Sequence, residues 1–407
     1  MMRKIRSIII CGFVLTTGIH SISFAKTAPR KSKADAGKTV YVKLKLNSDA
    51  PFKVSVAPLK YNKHLAFSFT LDDGYRSAFT CAYPLLNGGL VSPAIPDEYH
   101  SDQGGDGEKS DGLFYTNGCG KNVAFKLAVA LNAGIVYDHP DNRARLSWAE
   151  VKTLYDAGWD ILNHGYHHLS KHGTDYNTEV LQNIKVVQEK VGFTMTQFVV
   201  PGGEHDEGYE HIYEQDALKA GAYAVASYVG KGPAIDVNKP VDLKDMIYAR
   251  NFLQSNKDSL DFKTIDRDLN RIDSLMKQPQ PIWYNEFTHS VGDKNLWNLS
   301  MLYPEFKYYM TSIDKTYGAK GTDSIWMAPW QEVYEYIWLR DHIKVTSQQQ
   351  GRNVVLKLEV PPIPANFRHT EISINIDTRT QFTVNNAAPL KMSNNGHNLL
   401  NIELGSI

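Results

Sequence analysis

From residue 58 to residue 340, short apolar runs that read as strands alternate with amphipathic runs that read as helices, and few folds accommodate that alternation. Leu65–Leu71 is apolar, β-branched and aromatic, the pattern of a buried strand. Ser147 and Glu150 form a capping-box pair at the start of a helix closed by Gly158, and 159–162 follows as a strand. Segment 177–191 places Val180, Leu181, Ile184, Val187 and Val191 on one helical face and stops at Gly192. Residues 197–200 form the next strand, ended by Pro201-Gly202-Gly203. Ile265, Leu269, Ile272 and Met276 mark another helix, 282–287 another strand, and Pro329 opens a last helix reaching about Arg340. The pattern predicts an α/β fold, a parallel sheet closed or wrapped by helices.

The flanks read differently. Residues 26–38 are a polar, basic lead-in, and 40–56 suggests two short strands. Beyond about residue 341 only strands remain, at 343–347, 354–360, 372–377, 382–385 and 399–404, so 341–407 reads as a small C-terminal antiparallel β domain. Residues 93–118, rich in Gly, Asp and Ser, read as a long loop. No internal repeat is visible.

Residues 1–25 read as a secretory signal: Arg3, Lys4 and Arg6, then the apolar 8–15, then Ser23-Phe24-Ala25 as a cleavage site. The expectation is a secreted or periplasmic protein with no membrane span, since no later run approaches the roughly 20 apolar residues needed. Charge is balanced, 44 basic against 44 acidic residues, which argues against nucleic acid or an anionic membrane as partner. After the signal two cysteines remain, Cys81 and Cys119; they can pair and tether the long loop, or stay as two buried thiols.

Four strands run into polar clusters. These are Asp72-Asp73-Gly74, Asn163-His164-Gly165-Tyr166-His167-His168, Pro201-Gly202-Gly203-Glu204-His205-Asp206, and Thr288-His289. In α/β barrels the active site gathers at the C-terminal ends of strands, so four distant segments are expected to converge. Two imidazoles and a carboxylate make a three-ligand metal site with a position left for water. His164 and His168, four apart, face the same way on a helical turn, and Asp73 can supply the third ligand. Held there, Zn2+ would lower the pKa of a water toward about 7. Asp72 can act as general base and His289 can protonate a leaving group. Taken singly, an Asp-Asp-Gly is also an ordinary turn and a His pair an ordinary helix face. His167 and His172 are neighbouring decoys.

Phe67-Ser68-Phe69-Thr70-Leu71-Asp72-Asp73-Gly74 resembles the first motif of the NodB-homology polysaccharide deacetylases, carbohydrate esterase family four, usually Thr-Phe-Asp-Asp-Gly. Gly158 to His168 resembles their second motif, His-Ser/Thr-x-x-His, and Phe287-Thr288-His289 resembles their last, Leu-x-His. The resemblance spans roughly residues 58–340. It implies a distorted β/α barrel and removal of N- or O-linked acetyl groups from an acetylated oligo- or polysaccharide. It also implies Asp72 as base, His289 as acid, and a divalent metal of the Zn2+ type on Asp73, His164 and His168.

The chain departs from that family in places. Where the third motif has Arg-x-Pro-Tyr, this sequence has Val199-Val200-Pro201-Gly202, without the Arg that would hold the base Asp. The Gly202 amide remains as an oxyanion donor. No Asp-x-x-Asp-Trp is found, Gly165 stands for the usual Ser or Thr, and Glu204, His205 or Asp206 are candidate replacements for the missing partners. The alternatives to a metal-dependent carbohydrate deacetylase are a non-catalytic carbohydrate-binding protein on a degenerate barrel and a metal-dependent amide hydrolase with a non-sugar substrate.

Overall fold

The computed structural model describes residues 37–95, 104–136, 144–171, 173–202, 208–256, 260–294, 299–385 and 390–405. Residues 1–25, read above as a signal, His172 and residues 203–207, with Glu204, His205 and Asp206, lie outside them.

The central sheet has ten strands. In chain order they are β1 Leu65–Leu71, β2 Ala128–Leu131, β3 Asp160–Asn163, β4 Gln197–Val199, β5 Ala224–Lys231, β6 Ala234–Asp236, β7 Met246–Tyr248, β8 Asn251–Phe252, β9 Ile282–Thr288 and β10 Ile325–Met327. The spatial order is β6-β9-β1-β2-β3-β4-β5-β7, with β8 on β9 and β10 on β1. All pairings are parallel except β6 against β9. Parallel neighbours need crossovers, and helices such as Trp148–Asp156, Tyr176–Val191, Phe262–Met276 and Tyr303–Tyr317 lie in these connections. Both faces of the sheet are covered, so β1 through β4 are buried at every position. Trp159, Trp283, Trp326 and Trp330 are fully buried, and truncating one to Ala costs about 3–5 kcal/mol.

Two features of this sheet position the site. β1 and β9 pair along their whole length, Leu65↔Ile282 to Leu71↔Thr288, and the Asp72 amide donates to the Thr288 carbonyl at 2.9 Å. The ladder thus runs one residue past both strands and sets His289 beside Asp72. In addition, only Ala249 and Arg250 separate β7 from β8, yet β7 pairs with β5 and β8 with β9. Segment 246–252 therefore links β7, at one end of the strand order, to β9, the strand next to the other end.

The helix predicted at 177–191 is Tyr176–Val191, capped by Asp175 and ended by Gly192 at φ 89°. Val180, Val187 and Val191 are buried as the spacing predicts, but Leu181 is 45% exposed. It sits about 100° round the helix from Val180, and the buried face is completed by Asn183 and Glu179 instead. β2 is absent from the sequence reading because a four-residue run with two alanines carries no periodic or β-branched signal. Around the loop read at 93–118, Gly89–Leu90 pairs with Lys109–Ser110, and Phe114–Thr116 with Asn122–Ala124.

The strands beyond residue 341 pair with the two N-terminal strands. Lys38–Leu46 lies between Asn353–Val360 and Phe382–Val384 in one antiparallel sheet, and Phe52–Val56 pairs with Glu371–Thr378 in another. Gly37–Ile407 holds together as one compact unit. The thiols are not bridged. Cys81 is buried, while Cys119 is half-buried with its Sγ 3.5 Å from Asn401 Nδ2 of the C-terminal strands.

Candidate functional site

Asp72 and Asp73 leave β1 in different directions because the backbone turns over between them. Asp73 has φ +70° and Gly74 φ +62°, so the chain turns sharply at Asp73 instead of continuing extended from β1. A left-handed non-glycine residue costs about 1–3 kcal/mol and persists only where its surroundings hold it. Here Arg145 holds it: its Nη1 donates to the Asp73 carbonyl at 2.7 Å, and its guanidinium lies 3.8 Å over the Tyr75 ring.

His164 follows β3 directly. Its Nδ1–H donates to the Val199 carbonyl of β4 at 2.8 Å, which fixes the tautomer of the neutral ring and leaves the Nε2 lone pair to act as a ligand, 3.2 Å from Asp73 Oδ1. His168 Nε2 stands 3.3 Å from the same oxygen. The two imidazoles do not meet on a helical turn. Residues 164–168 form a loop bent by Gly165 at φ +75° and His168 at φ +61°. Gly165 replaces a Ser or Thr where a Cβ would lie 3.3 Å from Tyr213 Oη and 3.4 Å from Glu179 Oε2.

Buried asparagines fix this loop. Asn132, just past β2, donates to the carbonyls of His164 and Gly165. Asn163 Oδ1 accepts from the Gly165 amide at 3.0 Å and from Asn183 Nδ2 at 2.6 Å. Asn183 in turn donates to the Leu131 carbonyl and accepts from the Ala133 amide, each at 2.7 Å. Each amide side chain satisfies main-chain groups that would otherwise be buried unpaired. His167 turns away, its Nδ1 and Glu179 Oε1 2.8 Å apart.

Asp72 is 2% exposed, and its two oxygens accept from Arg250 Nη1 and Nη2 at 2.8 Å each. Arg250 sits on the link between β7 and β8, stacked 4.0 Å from the Phe287 ring. The Arg missing from the third motif is thus supplied by another strand end. His289, opposite Asp72 in register, donates Nδ1–H to the Leu299 carbonyl at 2.9 Å and packs edge-on against Phe252. Pro201 closes β4 at the same end, its Cγ 3.7 Å from the Cβ position of Gly165.

Burial opposes ionisation of Asp73, yet the two imidazoles hold its carboxyl well below the usual carboxylate range. Burial likewise pulls His168 down, and Asp73 outweighs it, so the ring titrates above its ordinary value. Asp73 Oδ1 is buried with no hydrogen bond of acceptable geometry, although two ring nitrogens stand close to it. The ligand atoms of Asp73, His164 and His168 all lie within 4.8 Å of one another. An orphaned carboxylate oxygen facing two Nε2 atoms fits a cation coordinated by all three.

All five residues singled out from sequence are therefore placed at one end of the sheet: Asp73 with His164 and His168, Asp72 and His289 alongside. Arg250, Arg145, Asn132 and Asn183 were missed. Arg250 had the same signal as the others, a polar residue just past an apolar strand; Asn183, within a helix, had none.

No protein of curated function matches this sequence. Solved structures align at low identity. PuuE allantoinase matches with TM-score 0.40 and 9% identity over 69% of this chain and 92% of that one. A polysaccharide deacetylase from Bacillus cereus gives 0.34 and 11% over 65% and 91%. The Streptococcus pyogenes deacetylase PplD gives 0.27 and 14% over 40% and 56%. The polysaccharide deacetylase family model matches residues 121–221, the stretch that carries His164, His168, Asn132 and Asn183. Over that stretch the sequence is similar to the polysaccharide deacetylases.

Proposed function

We propose that the chain is a metal-dependent hydrolase that removes N- or O-linked acetyl groups from a carbohydrate. One observation carries the reading: a clustered Asp73, His164 and His168, with a second carboxylate, Asp72, held beside them by Arg250. Two imidazoles and one carboxylate suit a divalent metal of the Zn2+ type, which when bound supplies Lewis acidity toward a water and a carbonyl oxygen. Asp72 takes the proton of the attacking water at its carboxylate. Arg250 fixes the plane of that carboxylate through two parallel bonds. His289, its Nδ1 committed to Leu299, offers Nε2 to the departing amine or alcohol. Phe252 and Phe287 stack 4.9 Å apart beside it and give that ring an apolar flank. The sheet, its two sides linked by 246–252, is read as a distorted β/α barrel with this site at the C-terminal ends of its strands.

Acetate release from N- and O-acetylated oligosaccharides, with chelator and with Zn2+ restored, tests the activity. Chelation is expected to abolish release and Zn2+ to restore it. Metal-loaded protein inert on every acetylated sugar, or active regardless of chelator, overturns the reading.

The chain is further read as exported, with cleavage after Ala25. Among the described residues no helix is long and apolar enough to cross a membrane. Terminal sequencing of the protein made in its natural host should begin at Lys26; an intact Met1 on the bulk of the protein refutes export.

A further inference from the structure

The end of the sheet opposite the metal ligands holds a second cavity. β3 carries Asp160 at its start and runs into His164 at its end, four residues on, so about 13 Å of strand separates the two sites. Around Asp160 the C-terminal segment is latched to the sheet: Arg368 Nη1 and His369 Nε2 lie 3.2 and 3.1 Å from Asp160 Oδ1. Between this latch, the loop after Phe114–Thr116 and the strand Met392–Asn394 lie two adjoining hollows of about 870 and 340 Å3 that share Tyr61, Lys121, Arg368 and Glu371. Such volumes span the range of small-molecule sites, about 300–1,000 Å3.

The charges on its wall are unequally partnered. Glu371 accepts from Tyr61 Oη at 2.5 Å and lies 3.2 Å from Lys60 Nζ, and Glu403 is bound by Thr370 and the Gly405 amide. Lys121, Lys126 and Lys391 line the hollows, and none of them forms an ion pair with a carboxylate within 4.0 Å among the described residues. At the inner end Glu332 is 2% exposed; Oε1 takes Lys60 at 2.8 Å, whereas Oε2 accepts no hydrogen bond, with His369 Nδ1 3.9 Å away. Burial works against the charge on Glu332, yet Lys60, Lys126 and His369 keep its carboxyl far below the usual range, so the orphan oxygen is a standing acceptor. A buried acceptor left unpaired is destabilising, and a donor entering the hollow would satisfy it.

We propose that this cavity is a second glycan site, taking a sugar that offers hydroxyl donors to Glu332 and an anionic group, carboxylate or sulfate, to Lys121, Lys126 and Lys391. The assignment to sugar rests on the carbohydrate reading above. A polymer held there and cleared of acetyl groups at the far end of the sheet would be engaged at two points, which raises its effective concentration at the catalytic cleft.

Calorimetry on the full mature chain, with tetra-galacturonate, a heparin tetrasaccharide and neutral cellotetraose as probes, tests this. At least one anionic probe should bind without competition from cellotetraose, and the one that binds identifies carboxylate or sulfate. The double variant Lys121→Glu/Lys391→Glu should weaken binding about tenfold or more, while Lys263→Glu on the helix Phe262–Met276 should not. Binding of neither anionic probe, or binding equal in the double variant, overturns the proposal. Binding abolished by Asp73→Asn also overturns it, since the probe then lies in the metal cleft and the deacetylase reading stands. Intact binding with no acetate release from any substrate defeats that reading and leaves the cavity assigned.

Discussion

Arg250 grips Asp72 through two parallel bonds, Nη1 to Oδ1 and Nη2 to Oδ2, each 2.8 Å long. The pair is buried, so removing one member strands the charge of the other. Arg250→Met should lower acetate release about 10²-fold or more with metal content unchanged, and Arg250→Lys should recover only part, because a single ammonium cannot match both oxygens. Metal analysis and turnover on the same purified samples decide it; a variant that keeps full turnover shows the pair to be structural only.

The adjacent carboxylates should separate cleanly. Asp73→Asn, His164→Ala and His168→Ala each remove a ligand atom from the cluster and should lose metal and activity together. Asp72→Asn and His289→Ala should keep the metal and lose turnover by about 10²–10⁴-fold. Metal lost from Asp72→Asn but kept by Asp73→Asn would reverse the two roles.

Asn183 reaches the site only through other residues: it touches Asn163, the Leu131 carbonyl and the Ala133 amide. Asn183→Ala leaves these buried groups unpaired and should cost about 1–3 kcal/mol of stability. It should also weaken metal retention, because Asn163 holds the amide next to His164. Thermal melts and metal retention during dialysis against a chelator measure the two effects; a melt shifted with metal retention unchanged would confine Asn183 to stability.

Glu286, fully buried between Tyr284 and Tyr309, has its carboxyl pushed up to about 7 by burial, with the two tyrosine hydroxyls pulling the other way. An acid whose pKa rises on folding binds its proton more tightly in the folded state. Its contribution is therefore complete below the unfolded value, near 4.5, and is lost as pH climbs to about 7. The loss is about 3 kcal/mol. Glu335, raised to about 7 chiefly by burial, acts in the same direction. Glu286→Gln should flatten the fall in melting temperature between pH 5 and pH 8; a slope equal to the parent's would mean that Glu286 is ionised throughout.

Where a residue's role is written in its immediate neighbours, the sequence discloses it. Leu65–Leu71 reads as a strand because its run is continuous and bounded, and Asp72-Asp73 are placed by that strand's end. Ser147 and Glu150 cap their helix as spaced, with both reciprocal bonds formed. What stayed hidden depends on residues far apart in the chain. Arg250 lies 178 positions from Asp72, and only the sheet order brings them together. His164 and His168 were paired for a wrong local reason, since two positive-φ residues in a loop do what a helical turn was expected to do. The tail strands read correctly as antiparallel, but their partners Lys38–Leu46 and Phe52–Val56 lie at the other end of the chain.

The seven residues 246–252 stitch one margin of the sheet to the strand next to the other and bring Arg250 with them. The proposed cation ligands follow β1 and β3, which share the neighbour β2, and His164 is oriented from β4. The cluster and the brace on Asp72 therefore draw on different parts of the sheet: the former needs four neighbouring strands, the latter needs β7 and β8 seated on opposite sides of them.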